Sequence, residues 1–213
     1  MEIIAFIWSL LFQSEAQPEE WLVPISSPSP VYPGHLSRAE YVGKVRVYLE
    51  LGDTGDVLGV RTVESSHPDF ARAVTQATKQ WRFKPWMVSD THPPTTEVML
   101  LVLFGGQEIE AFSPDVTVGL ESVLCTYLNK EVSLSRLDYP LAPLRDVDLF
   151  AYTLESLNGA YVKAKVPDLA SRKDLLQQMI RATPEVAEQC RAHPERRYID
   201  FLPKDVRTAI SWA

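Results

Sequence analysis

Cysteine, histidine and glycine are scarce in this chain, and no apolar run in it is long. Two cysteines and four histidines among 213 residues do not encode a structural zinc site, which takes about four ligands at short spacing. Nine glycines leave no phosphate-cradling loop, and neither His-Glu-x-x-His nor Gly-x-Ser-x-Gly occurs. Positive charge is also in deficit: 21 Lys and Arg against 28 Asp and Glu give a net charge of −7. Such a chain repels a phosphate backbone unless a dense basic tract offsets the balance. The densest, residues 191 to 197, holds three arginines and is interrupted by Glu195. Nucleic acid is therefore not an expected partner, and no cofactor or metal is expected.

The most apolar stretch, IIAFIWSLLF at residues 3 to 12, falls well short of the ~20 residues that span a bilayer as a helix. It has the length of a signal-peptide core, and Ser14-Glu15-Ala16 supplies a small, x, small pattern for cleavage after Ala16. The n-region carries Glu2 and no basic residue, which leaves a membrane anchor or a core helix as alternatives. Export fits the cysteines. In an oxidising compartment, Cys125 and Cys190 with no other partner form one disulfide, the alternative being two buried free thiols.

Residues 17 to 33 are rich in Pro and Ser and read as an extended linker. From Gly43 the pattern alternates strictly, with Val45, Val47, Leu49 and Leu51 on one face and Lys44, Arg46, Tyr48 and Glu50 on the other. That is a half-buried strand. Asp53-Thr54-Gly55-Asp56 supplies a turn, and residues 57 to 63 return as a second strand of a hairpin. Ser66-x-x-Asp69 with Pro68 predicts a helix start, and Phe70, Val74, Ala77 and Trp81 form one stripe of a helix running to about Trp81, stopped by Pro85. Residues 96 to 104 form a third strand. Every residue from 98 to 104 is apolar, which predicts burial on both faces. In QWRFKPW at residues 80 to 86, aromatic residues interleave with basic ones, as in a nucleic-acid stacking platform. Its position after the helix assigns Trp81 and Phe83 to the core instead, with Arg82 and Lys84 facing solvent.

Tyr32-Pro33, Gly43-x-Val45-x-Val47, Gly55-x-Val57, Val63 with Ser65-Ser66, Phe70, Ala73, Ala77 and Trp81-x-Phe83-x-Pro85, in this order and spacing, resemble the C-terminal domain of TonB-type energy transducers, to which the C-terminal domain of TolA is similar in fold. The resemblance covers residues 30 to about 110. It implies a periplasmic domain of a Gram-negative bacterium that does no chemistry and binds an extended peptide of an outer-membrane transporter along its last strand, in TonB-dependent transport. Strand addition of this kind satisfies the unpaired N–H and C=O groups of a sheet edge. Carried over, the partner-binding edge is Glu97, Val98, Met99, Leu100, Leu101, Val102 and Leu103, with coverage of that edge by the rest of the chain as the alternative. The chain departs from TonB in three ways. Its leader is too short to span, its linker of about sixteen residues reaches only about 50 Å at ~3.1 Å per residue, and about a hundred residues follow the domain.

Those residues have helical periodicity. Leu120, Val123, Leu124, Tyr127 and Leu128 form one stripe, and Val147, Phe150, Ala151, Leu154, Leu157 and Tyr161 a second. Ser171-x-x-Asp174 reads as a capping box, Thr183-Pro184-Glu185 as the start of a separate short helix carrying Cys190, and Pro203 as the opening of a last helix ending near Trp212. Asp146 with Asp148, and Ser65-Ser66 beside His67, are the nearest approach to paired catalytic groups; helix-end charge and capping account for them.

The expectation is an α+β protein with a signal peptide at 1–16, a linker at 17–33, a TonB C-terminal-like antiparallel sheet with one packed helix at 34–110, and an all-α domain at 115–213. Its expected role is non-enzymatic: periplasmic protein binding, with an outer-membrane transporter or another envelope protein as partner. A soluble accessory fits better than a motor-coupled transducer, and the alternative is a structural subunit or homodimer with the edge covered. Intact mass of the protein isolated from cells under non-reducing conditions checks leader and bridge together. A chain beginning at Gln17 and lighter by the hydrogens of one disulfide is expected; an intact Met1 with free thiols would place the protein in another compartment.

Overall fold

A computed structural model describes residues 21–107 and 112–211; the expected signal peptide lies outside them. The fold is α+β. One four-stranded antiparallel sheet has the order β3-β2-β5-β6 and a two-stranded one pairs β1 with β4. The large sheet is built from β2 (Gly43–Gly52), β3 (Val57–Ser65), β5 (Thr95–Phe104) and β6 (Val116–Val118); β1 is Pro24–Ser26 and β4 Arg82–Phe83. A short helix α1 (Gly34–Arg38) precedes β2, and α2 (Pro68–Thr78) follows β3. After β6 come α3 (Cys125–Asp138), α4 (Asp148–Leu157), α5 (Ala160–Lys165), α6 (Leu169–Ala192) and α7 (Lys204–Ile210).

The alternation in β2 becomes one wall of a first core. Val45, Val47, Leu49 and Leu51 are completely buried with Val98, Leu100, Val102 and Phe104 of β5 and Phe70 and Val74 of α2. Phe70 stacks on Phe104 with ring centroids 4.2 Å apart. Trp81 and Phe83 join this core, while Arg82 turns outward to pair with Asp56 at 3.1 Å. The aromatic-basic stretch is thus structural. Its turn is equally constrained: Gly55 has φ +84° and passes so close to the Phe83 carbonyl that a Cβ would collide with it.

The opposite face of β5 feeds a second core. Leu101 and Leu103 are buried among Val123, Leu128, Leu149 and Phe150 of the helical half. Burial on both faces of β5 follows, one face under α2 and the other under the helices, with Met99 alone of residues 98–104 only partly covered. The residues expected on the polar side of β2 do not simply meet solvent. Lys44 is paired with Asp148 of α4, Arg46 lies 3.6 Å from Glu155, and the Tyr48 hydroxyl donates to Glu155 at 2.9 Å.

Several local expectations are corrected. The Pro/Ser-rich segment is not a free linker in its described part: Trp21 and Leu22 are buried, β1 pairs with β4, and the Trp81 indole N–H donates to the Pro28 carbonyl at 3.0 Å. Extended prolyl backbone lacks internal hydrogen bonds, so its free carbonyls serve the domain. At α2 the cap is His67, whose Nδ1 accepts from Asp69 N–H at 3.1 Å, and Ser66 bonds the Lys44 backbone instead. The helix ends at Thr78, short of Trp81. The cap of α6 is Asp168, accepting from Ser171 N–H at 2.7 Å. Pro184 starts no new helix; α6 runs through it. Proline there removes the donor owed to Ile180, and the Thr183 hydroxyl supplies one to that carbonyl at 3.0 Å.

The Cys125–Cys190 disulfide joins the first residue of α3 to the end of α6, with Cα atoms 4.8 Å apart. Replacing Gly55 by alanine is expected to cost about 1–3 kcal/mol, from positive φ and the clash with Phe83. Urea unfolding measures this, and an unchanged midpoint would mean that the turn relaxes freely.

Candidate functional site

The two sides of β5 are treated differently. Toward β2, all ten residues are paired, Thr95 with Gly52 through Phe104 with Gly43. On the other side, β6 pairs only with Val102, Leu103 and Phe104. Gly119, at φ +77°, donates its N–H to the Leu101 carbonyl at 2.9 Å and turns the chain off the strand. Gly105 N–H bonds the Asp115 carbonyl on the same side. Odd-numbered residues of β5 therefore direct their N–H and C=O away from β2, and at Glu97 and Met99 these groups face a cleft that β6 does not reach.

One continuous edge from Glu97 to Leu103 is therefore corrected to two halves. Val102 and Leu103 are covered by the chain's own β6 and Leu101 is capped, whereas Glu97, Val98, Met99 and Leu100 line a cleft of about 400 Å³. The covered half was not readable because Val116–Val118 is only three residues long, too short for a periodicity.

The cleft has two further walls. On one side lie Pro24, Ser27 and Ser29 of the N-terminal segment and Trp81; on the other lie Tyr152 and Glu155 of α4 and Tyr161 and Val162 of α5. Apolar walls with hydrogen-bonding backbone at their base suit an extended peptide. The Tyr152 hydroxyl donates to the Met99 carbonyl at a long 3.4 Å, a partial substitute for a neighbouring strand. Burial raises the Tyr152 phenol well above its usual range, so it stays a donor at physiological pH.

A charged seam runs between the helical wall and the sheet and fixes where they meet. Lys44 is paired with Asp148 and lies 3.3 Å from Glu64, and Arg46 lies 2.7 Å from Glu64. Burial alone would lower the Lys44 pKa, but Asp148 and Glu64 more than offset this and raise it, so the ammonium persists. Glu131 of α3 accepts the Leu149 N–H at 2.9 Å, capping the start of α4, and Tyr127 bonds to it. Burial raises the Glu131 pKa despite these donors. Asp148 is thereby assigned to the seam. Ser65, Ser66 and His67 are engaged in backbone hydrogen bonds around the start of α2.

Residues 28–105 match the model of the Gram-negative bacterial TonB protein C-terminal family. The matched segment runs from the N-terminal wall of the cleft through β5, and it bears out the resemblance read from the sequence. A match to this family suggests an interaction module of the Gram-negative envelope, similar to TonB, in place of an enzyme. Compared with curated proteins, the chain has no match. Among the described residues, no helix is long and apolar enough to cross a membrane.

Glu131→Gln tests the seam. The folded state holds the Glu131 proton more tightly than the unfolded one, so stability is lost as pH rises from the ordinary value of 4.5 through the raised one. Glutamine keeps an acceptor for Leu149 and abolishes this loss. Urea midpoints across that range should show the variant gaining on the wild type as pH rises; the opposite slope would mean that the carboxylate is stabilised where it sits.

Proposed function

We propose that the protein is a periplasmic binding module that receives an extended segment of an envelope protein as an added strand along residues 95–100 of β5. The partner implied by the resemblance is an outer-membrane transporter, and the role would then lie in TonB-dependent transport. The observation that carries this reading is the half-paired β5. Its odd-numbered residues present backbone donors and acceptors to a cleft lined with apolar and aromatic side chains. Unpaired strand groups beside such walls are what strand addition requires. The site offers binding and no reaction. The helical half is part of the receptor, because α4 and α5 form one wall.

A second reading, a homodimer, has one observation in its favour. Among the described residues, strand β3 is paired only with β2, which leaves its outer edge without a neighbouring strand. The register of that pair shifts twice, leaving Val63 and Leu58 as extra residues, and both are exposed, at 45% and 58%. Such bulges twist an edge and discourage continuous pairing between copies. Peptide reception at β5 is accordingly the stronger reading.

Photocrosslinking in intact cells from residue 97 or 99, with the captured protein identified by mass spectrometry, tests both. Capture of an outer-membrane or other envelope protein is expected. Met99→Pro removes an N–H that faces the cleft and leaves the β2 ladder intact; it should abolish capture from residue 97, whereas Met99→Ala, which loses the same packing against the helices but keeps the N–H, should retain it. Capture of a second copy alone would move the function to self-association.

A further inference from the structure

The cleft beside β5 carries charge of one sign. Glu97 on β5, Glu121 after β6 and Glu155 on α4 line it, and none of the described lining residues is lysine, arginine or histidine. Two of these carboxylates are held from the sheet side, Glu97 by Arg61 at 3.3 Å and Glu155 by Arg46 at 3.6 Å. They remain 54% and 44% exposed, so their outer faces stay open to a further cation. Aromatic rings extend the same preference. Tyr48 lines the cleft and carries the Arg61 guanidinium 4.5 Å from its ring centroid, an example within this chain of a cation resting on an aromatic face.

We infer that the segment received by the cleft is basic, with lysine or arginine alternating with apolar residues. The inference rests on the strand-receiving reading of β5. In an added strand, successive side chains point to opposite sides. Those on the side of Val98, Leu100 and Trp81 meet apolar surface; those on the side of Met99 meet Glu97 and Glu155. A lysine or arginine there lays its aliphatic stem along the cleft wall and brings its charge to the carboxylates. An acidic segment would set like charges together in a partly desolvated space and is rejected.

Short random peptides displayed on phage, selected against the full oxidised chain, provide the test. Enriched peptides are expected to alternate apolar with basic residues. A synthetic, labelled copy should bind with an affinity that falls steeply with added salt. The same peptide with its basic residues changed to glutamine should bind roughly tenfold or more weakly, as should the original peptide to a Glu97→Gln, Glu121→Gln, Glu155→Gln triple variant. The peptide change tests the inference without altering the fold. Apolar alternation with no basic excess, or enrichment of acidic residues, with binding removed by Met99→Pro, would overturn the basic preference and leave strand reception standing. No enrichment, or binding indifferent to Met99→Pro, would overturn both.

Discussion

Seven successive apolar residues on one strand, 98–104 of β5, must lose water from both faces of the sheet, and the rest of the structure answers that demand. Helix α2 covers one face together with Trp21, Leu22, Trp81 and Phe83, burying Val98, Leu100, Val102 and Phe104. Leu101 and Leu103 would remain wet without a second layer, at a cost of about 2 kcal/mol each. The helical half supplies that layer. The ion pairs along the seam contribute less, since partly exposed pairs give about 0–1 kcal/mol. Burial attaches the helices, and the charges on Lys44, Arg46, Asp148 and Glu155 fix where they sit.

The same strand explains why a binding cleft exists at all. A sheet edge closed along its whole length receives nothing, and one left open along its whole length invites aggregation. Here Gly119 leaves the strand after β6 has covered only the last residues of β5. The earlier residues face a roofed space instead of bulk water. Gln107 secures this arrangement, its side chain bonding Thr117 of β6 and accepting the Leu124 N–H at 2.6 Å just before α3. A single buried amide thus ties the closing strand to the helix that begins the second layer.

The hairpin, α2, β5 and the cysteine pair were legible in the sequence because each rests on periodicity, turn chemistry or elimination among few residues, while the resemblance to the TonB C-terminal family rested on the order and spacing of its motif residues. Burial on both faces of β5 was legible from its composition. What covers the second face was not, because a helical stripe shows that it needs a partner without showing which. Local capping misled where two candidates competed within three residues: His67 took the role expected of Ser66, and Asp168 that of Ser171. Pro184 misled because the rescue of the Ile180 carbonyl by Thr183 depends on a rotamer that sequence does not display. The division of the β5 edge was hidden for the reason that matters most to function: three residues of β6 decide it.

The disulfide gives the two walls of the cleft unequal stiffness. Helices α4 and α5 lie in the chain between Cys125 and Cys190, so both ends of that wall lead back to one covalent junction. It belongs to a closed ring and cannot swing away on a long tether. The opposite wall, residues 24–29, lies outside that ring and is held by the pairing of β1 with β4, by the Trp81 indole on Pro28 and by the burial of Trp21 and Leu22. One wall is thus closed covalently, and the other is held by noncovalent contacts alone.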